Sequence, residues 1–102
     1  MTVTPSADLP TARRSVRIVN TYGLHMRPAT RFVALAGTFG AEVGVHARGR
    51  RVNGKSILEM TTLAAECGET LDLEAVGPDA EAAIEALSAL VDAGFHMNDE
   101  AD

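Results

Sequence analysis

The sequence predicts an α+β fold of two layers, in which three helices cover a four-stranded sheet whose other face stays open. Two observations support this fold class. Four segments alternate apolar and polar residues with a period of two, which is typical of strands with one buried face. Three others repeat apolar residues at helical spacing along one side. Their order along the 102-residue chain is β-α-β-β-α-β-α, and this length fits one domain.

The domain is predicted to span residues 14–96. Residues 1–13 mix Thr, Ser and Pro with few apolar side chains, so we expect a flexible N-terminal arm there. Residues 97–102 are expected to form a frayed acidic tail. The first strand is predicted over residues 14–20, where aliphatic residues alternate with polar ones.

A seven-residue segment, Gly23-Leu24-His25-Met26-Arg27-Pro28-Ala29, leads into the first predicted helix, which should end near Gly37. Pro28 fits the first turn of a helix, because its missing N–H costs nothing there, so His25 should lie at the helix start. The first N–H groups of a helix have no intrahelical partner and carry the positive end of the helix dipole. Together with the Arg27 guanidinium, they favour a bound anion and could hold a phosphoryl group on an imidazole nitrogen.

The middle of the chain predicts a hairpin followed by a second helix. Residues 41–47 and 50–53 alternate as the second and third strands, joined by a tight turn. Ser56 precedes an apolar helical repeat and Glu59 follows three residues later, which is the pattern of a capping box. This helix should run to about Cys67, which we expect to be buried.

The last part of the chain predicts a fourth strand and a third helix. Residues 70–76 alternate with the period of a strand. Asp79 follows a Gly-Pro turn and should cap the third helix, which should end near Gly94. The apolar face of that helix consists of Ala80, Ala83, Ile84, Leu87, Leu90 and Val91.

The segment that begins at Gly23 resembles the signature of HPr, the histidine-containing phosphocarrier of the bacterial phosphoenolpyruvate-dependent phosphotransferase system. A second block, Asn53-Gly54-Lys55-Ser56-Ile57, resembles the region around that family's regulatory serine and lies at the family's separation from the first. The resemblance runs from about Val16 to Phe95. Met26 departs from the family pattern, which usually has Ala or Thr at this position. The resemblance implies an antiparallel sheet in strand order 1-4-2-3, with all helices on one face.

The resemblance also implies a function. Enzyme I would phosphorylate His25 on Nδ1, Arg27 would stabilise the phosphoryl group, and an enzyme IIA-type protein would receive it. The protein would be a carrier and not an enzyme, and it would need no cofactor. A serine kinase and a phosphorylase would act on Ser56, while Ile57 and Leu58 would be exposed for docking to both donor and acceptor.

Each assignment has a simpler alternative. His25 could serve only in packing or capping, and the protein would then be a regulatory module that docks to kinases or transcription factors. Ser56 could be only a helix cap. The sequence also leaves open whether a carrier of this kind serves sugar uptake or the nitrogen-related branch.

Composition argues against several other classes of protein. A net charge of −5 does not favour nucleic-acid binding, and no apolar run is long enough for a membrane span. We expect a cytoplasmic monomer. The histidines and the cysteine lack the spacing of metal ligands, so no metal site is predicted, and His46 and His96 should lie at the surface. The basic residues around the third strand are expected to be solvated, with contact to an acidic partner as the alternative: Arg48, Arg50, Arg51 and Lys55.

Overall fold

The computed structural model of the protein describes residues 9–97, and its elements follow the predicted order. The strands are β1 at Thr11–Arg17, β2 at Glu42–Ala47, β3 at Arg50–Asn53 and β4 at Thr70–Val76. The helices are α1 at Met26–Ala36, α2 at Ile57–Thr62 and α3 at Ala80–Asp92, with a short 3-10 helix at Gly94–His96.

The strands form one antiparallel sheet in the order β1-β4-β2-β3, which confirms the order that the resemblance implied. The inward side chains of the sheet pack with the apolar faces of the helices in a single core. The alternation predicted inward side chains in β2 and β4, and all of them are buried, as is the predicted apolar face of α3. The inward strand residues are Val43, Val45, Ala47, Leu71, Leu73 and Ala75. The largest fully buried side chains include Phe32, Phe95, Ile18, Met60, Leu63, Leu71, Leu73 and Leu87.

β1 lies three residues earlier than predicted. It pairs with β4 along its whole length, from Thr11 opposite Val76 to Arg17 opposite Thr70. The ends of the strand are set by backbone pairing, which stops at Arg17. The prediction extended the strand further because Ile18 continues the alternation, and this side chain is indeed buried.

The folded domain extends further at both ends than predicted, into the predicted arm and tail. Residues 11–13 belong to β1, and the side chain of Met97 is buried. The rest of the predicted arm and tail, residues 1–8 and 98–102, lies outside the described residues.

α2 ends at Thr62, well before the predicted end near Cys67. Ala64 adopts a left-handed backbone conformation with φ 51°, which is incompatible with a continuing helix. The carbonyl of Ala65 then accepts the N–H of Leu24 at 2.8 Å, so this segment bonds to the loop before α1. Cys67 is exposed, and the prediction that it is buried was wrong.

Two arginines of the β2–β3 hairpin hold the C-terminal end of α2. Arg48 donates from Nη2 to the Leu63 carbonyl at 2.5 Å and forms an ion pair with Glu69, while Arg50 donates from Nη1 to the Thr62 carbonyl at 2.9 Å. The last carbonyls of a helix lack intrahelical partners and carry the negative end of its dipole, so both guanidiniums stabilise this end. Both side chains are exposed as predicted, but the hydrogen bonds give them a structural role that was not predicted.

Two further charged residues fix the connection between α1 and β2. Lys55 donates from Nζ to the Phe39 carbonyl at 2.7 Å, and the Asp79 carboxylate accepts the N–H groups of Gly40 and Ala41, both at 2.8 Å. Asp79 occupies the N-cap position of α3, but its side chain makes no capping hydrogen bond, contrary to the prediction. The hydrogen bond from Gly40, followed by that from Ala41, lowers the pKa of Asp79 despite the opposing effect of burial.

Candidate functional site

A hydrogen-bonded turn fixes the chain just before α1. The buried side chain of Asn20 donates from Nδ2 to the Gly23 carbonyl at 2.7 Å, and the Gly23 N–H donates to the Asn20 carbonyl at 3.2 Å. Gly23 has φ 70°, and a Cβ there would lie 2.5 Å from the Ala65 oxygen. Any side chain at this position would therefore displace the loop. The Leu24–Ala65 hydrogen bond anchors the other end of the turn.

His25 follows this turn as the N-cap residue of α1, with an extended backbone. Its half-buried side chain makes no capping hydrogen bond. The ring nitrogen Nε2 is enclosed and has no hydrogen-bond partner among the described residues. Nδ1 has no such partner either, but it is not enclosed, so it is the nitrogen that another molecule can reach. The ring of Tyr22 meets the imidazole edge to face, with centroids 6.3 Å apart and planes at 80°.

The first turn of α1 is open to an anion. The His25 carbonyl accepts the Ala29 N–H at 3.0 Å, so the N–H groups of Met26 and Arg27 precede the first intrahelical bond, and Pro28 has no N–H. The turn contains no acidic residue. The Arg27 side chain is exposed and makes no hydrogen bond or ion pair with any described residue. A positive helix end and an available guanidinium therefore lie next to the imidazole.

The start of α2, in contrast, is closed by its own residues. Ser56 Oγ accepts the Glu59 N–H at 3.1 Å, which confirms the predicted cap. The Glu59 carboxylate accepts the Asn53 N–H at 2.9 Å, and not the Ser56 N–H that a complete capping box would use. Ile57 and Leu58 are 39% and 79% exposed, and α2 packs against α1.

The other two histidines make no hydrogen bond or ring contact with His25. His46 lies on the open face of the sheet, with Nε2 3.4 Å from Glu74 Oε1, and His96 is exposed in the 3-10 helix. Burial raises the pKa of Glu74, but the hydrogen bond with His46 and the charges of Arg13 and Arg51 outweigh it and lower the pKa overall.

Sequence reasoning missed two residues that shape the site, Asn20 and Tyr22. Asn at the first position and Gly at the fourth favour a type I turn, so the turn from Asn20 to Gly23 could have been assigned from sequence, but the bond from the Asn20 side chain could not. No sequence signal indicates the contact between the Tyr22 and His25 rings, because it depends on the path of the turn.

Within residues 9–97, no group of three or more His, Cys, Asp or Glu side chains is arranged to hold a metal ion. In that same part of the chain, no helix has the length and apolar character needed to cross a membrane.

Comparison with known proteins assigns the class. Residues 12–93 match the family described as "PTS HPr component phosphorylation site". The protein is therefore a phosphocarrier, which takes up a phosphoryl group and passes it on without being an enzyme. It belongs to the HPr family of the phosphotransferase system, a family of cytoplasmic proteins whose partners are enzyme I and enzyme IIA-type proteins.

Individual relatives agree with this assignment. The chain is 42% identical over 79 residues to the phosphocarrier protein HPr of Cupriavidus necator, covering 78% of this chain and 89% of the relative. It is 41% identical over 82 residues to the phosphocarrier protein NPr of Shewanella violacea, covering 80% of this chain and 90% of the relative. The crystal structure of HPr-C-His from Thermoanaerobacter tengcongensis matches with a TM-score of 0.80 at 36% identity, covering 83% of this chain and 96% of that one.

Proposed function

We propose that His25 is the residue that carries the phosphoryl group, through Nδ1. The observation that supports this proposal is the open start of α1. There an accessible imidazole nitrogen lies beside N–H groups and a guanidinium that no described residue neutralises. These are the groups that stabilise an added anionic group.

The transfer step follows from the chemistry of imidazole. Nδ1 offers a lone pair when the ring is neutral and its proton is on Nε2. This lone pair forms the bond to phosphorus while the bond from phosphorus to the donor atom of phospho-enzyme I breaks, and the bonding electrons leave with the donor. The same exchange in the other direction passes the group to an enzyme IIA-type acceptor. Positioning and charge stabilisation supply most of the catalysis in a phosphoryl transfer of this kind.

Arg27 and the first-turn N–H groups of α1 stabilise the phosphoryl oxygens in this proposal. A carrier has to release the group that it accepts, so stabilisation has to be moderate. An exposed guanidinium meets this requirement, because water screens its attraction for an anion. The same attraction would be much stronger at a buried site.

We assign Ile57 and Leu58 to docking. Both are exposed apolar residues at the start of α2, which packs against α1, the helix that follows His25. An apolar patch on the helix that packs against α1 would exclude water when either partner binds to the monomer. Ser56 immediately precedes this pair, so phosphorylation there by a serine kinase would place negative charge at the docking surface, and a phosphorylase would remove it.

The test is incubation with enzyme I and labelled phosphoenolpyruvate. The wild-type protein should acquire acid-labile label and lose it to an enzyme IIA-type protein. His25→Ala should acquire none, while His46→Ala, a matched control on the other face of the sheet, should be labelled normally. Labelling of His25→Ala at the wild-type level would rule out His25 as the carrier.

A further inference from the structure

We infer that Tyr22 is a positioning residue that sets the orientation of the His25 imidazole. This inference rests on the proposed role of His25 as the acceptor. The two rings meet at 80° with centroids 6.3 Å apart. This geometry lies within the range of favourable edge-to-face aromatic pairs.

No residue in the described range 9–97 orients the imidazole through a hydrogen bond. As the N-cap residue, His25 makes no side-chain capping bond, and neither ring nitrogen has a partner among the described residues. The outer torsion of a histidine side chain is soft and roughly two-fold, and half a turn about it exchanges Nδ1 with a carbon atom. An orientation that leaves Nδ1 accessible therefore has to come from packing, and the contact with Tyr22 is the directed contact that the structure records.

Tyr22 is itself held well enough to serve this purpose. It lies inside the turn that the Asn20 side chain closes on Gly23, and the hydrogen bond from Leu24 to Ala65 anchors the end of that turn. The backbone of Tyr22 is therefore fixed relative to α1. A ring that is attached to a fixed backbone can bias the rotamer of the imidazole more effectively than a ring on a mobile segment.

This contact should affect the rate of phosphoryl transfer. Nδ1 has to point out of the protein to meet the donor, and the phosphoryl group then has to lie near Arg27 and the α1 start. An aromatic pair of this kind biases a rotamer by a factor of about two to ten. Removing the Tyr22 ring should therefore slow transfer by up to about twofold, because an unbiased two-fold torsion leaves the imidazole in the reactive orientation about half of the time.

A second role for the same ring has to be distinguished. Tyr22 is 63% exposed, so its ring could instead contact the partner protein directly. Loss of a docking contact raises KM for the carrier, whereas loss of orientation within the carrier lowers kcat. Orientation also affects the imidazole when no partner is present.

The experiment compares Tyr22→Ala with Tyr22→Phe, using enzyme I, phosphoenolpyruvate and increasing concentrations of each carrier. Tyr22→Ala should lower kcat by up to about twofold with KM unchanged, and Tyr22→Phe should behave as wild type because it keeps the ring. In the free protein, nitrogen-15 NMR couplings of the imidazole should show rotamer averaging in Tyr22→Ala but not in Tyr22→Phe.

Three results would overturn the inference: a wild-type kcat for Tyr22→Ala, an effect confined to KM, or a loss in Tyr22→Phe equal to that in Tyr22→Ala. The last would assign the role to the hydroxyl group. His25→Ala is measured in the same series. If it is labelled, the proposed acceptor is wrong, whereas an unlabelled His25→Ala with a fully active Tyr22→Ala refutes only the positioning role.

Discussion

The starts of α1 and α2 differ in whether a side chain caps the first N–H groups of the helix. At α2, Ser56 Oγ accepts the Glu59 N–H, and Glu59 places a carboxylate in the first turn. At α1, the His25 side chain makes no capping bond, and the first turn has Arg27 and no acidic residue. The two helices pack against each other, so the difference does not arise from different parts of the fold.

The capped start of α2 favours stability, whereas the uncapped start of α1 favours binding of a ligand. A side-chain cap contributes about 1 kcal/mol to the stability of a helix. The α1 start forgoes that contribution and keeps its N–H groups available for a ligand. A helix start that lacks a cap, carries a cation and bears an accessible nucleophile is therefore a better indicator of an anion site than a helix start as such.

Among variants that keep His25, the largest effect should come from adding negative charge to the α1 start. Met26 is 58% exposed in the first turn, so Met26→Glu should fold normally and should even be more stable, by about 0.5 kcal/mol, through the helix dipole. It should nevertheless slow phosphoryl transfer by about tenfold or more, because the carboxylate repels the phosphoryl dianion. Met26→Gln has the same shape without the charge and should stay close to wild type. Transfer kinetics and urea unfolding measure both effects, and equal rates for the Glu and Gln variants would contradict the electrostatic argument.

A smaller effect is expected at Arg27. Arg27→Ala should leave the unfolding midpoint unchanged, because the side chain has no partner among the described residues. It should slow transfer by about three- to tenfold, since one charged donor is lost while the helix N–H groups remain. The transfer rate of Arg27→Lys should lie between those of wild type and Arg27→Ala, because an ammonium group keeps the charge but not the two-pronged geometry. Wild-type kinetics in Arg27→Ala would remove this residue from the site.

At the capped start of α2, substitutions of Ser56 should affect stability and phosphoryl transfer separately. Ser56→Ala should lose about 1 kcal/mol of stability with little change in transfer, because a cap is removed. Ser56→Asp should keep the helix, since aspartate also caps, and should slow transfer roughly two- to fivefold through negative charge beside Ile57 and Leu58. If the aspartate variant transfers normally and binds its acceptor with unchanged affinity, Ser56 is only a cap and the docking surface lies elsewhere.

The smallest effect on transfer is expected at the third helix start. Asp79 has a lowered pKa, chiefly because of the Gly40 N–H, so its charged form is favoured in the folded state. Its contribution to stability is present above its unfolded pKa and is lost as the pH falls through the lower folded pKa. Asp79→Asn should therefore be less stable than wild type at pH 7, and this difference should shrink on acidification below about pH 4. Urea unfolding at both pH values tests this, and transfer at pH 7 should be unchanged.

The sequence was sufficient for features that depend on periodicity and local chemistry. The apolar faces of β2, β4 and α3, the Ser56 cap and the His25 position at a helix start were all predicted from spacing and residue type. The strand order came from the resemblance to a family and not from the pattern, because alternation does not reveal which strands pair.

Features that depend on contacts between distant residues could not be predicted. The start of β1 depends on its pairing with β4, and the early end of α2 coincides with the bond from Leu24 to Ala65. The Asp79 carboxylate looked like a cap in sequence, but the neighbouring Gly40 and Ala41 N–H groups bind it instead. In each case a long-range backbone partner outcompeted the local pattern.

The central claim, that the open start of α1 holds the phosphoryl group on His25 Nδ1, can be tested most directly by NMR of the phosphorylated protein. Nitrogen-15 and phosphorus-31 spectra should show coupling from phosphorus to Nδ1 of His25. The amide signals of Met26 and Arg27 should shift strongly on phosphorylation, while that of Glu59, whose N–H already bonds to Ser56, should stay in place. Phosphorus coupled to Nε2, or unshifted amide signals at the α1 start, would contradict the account.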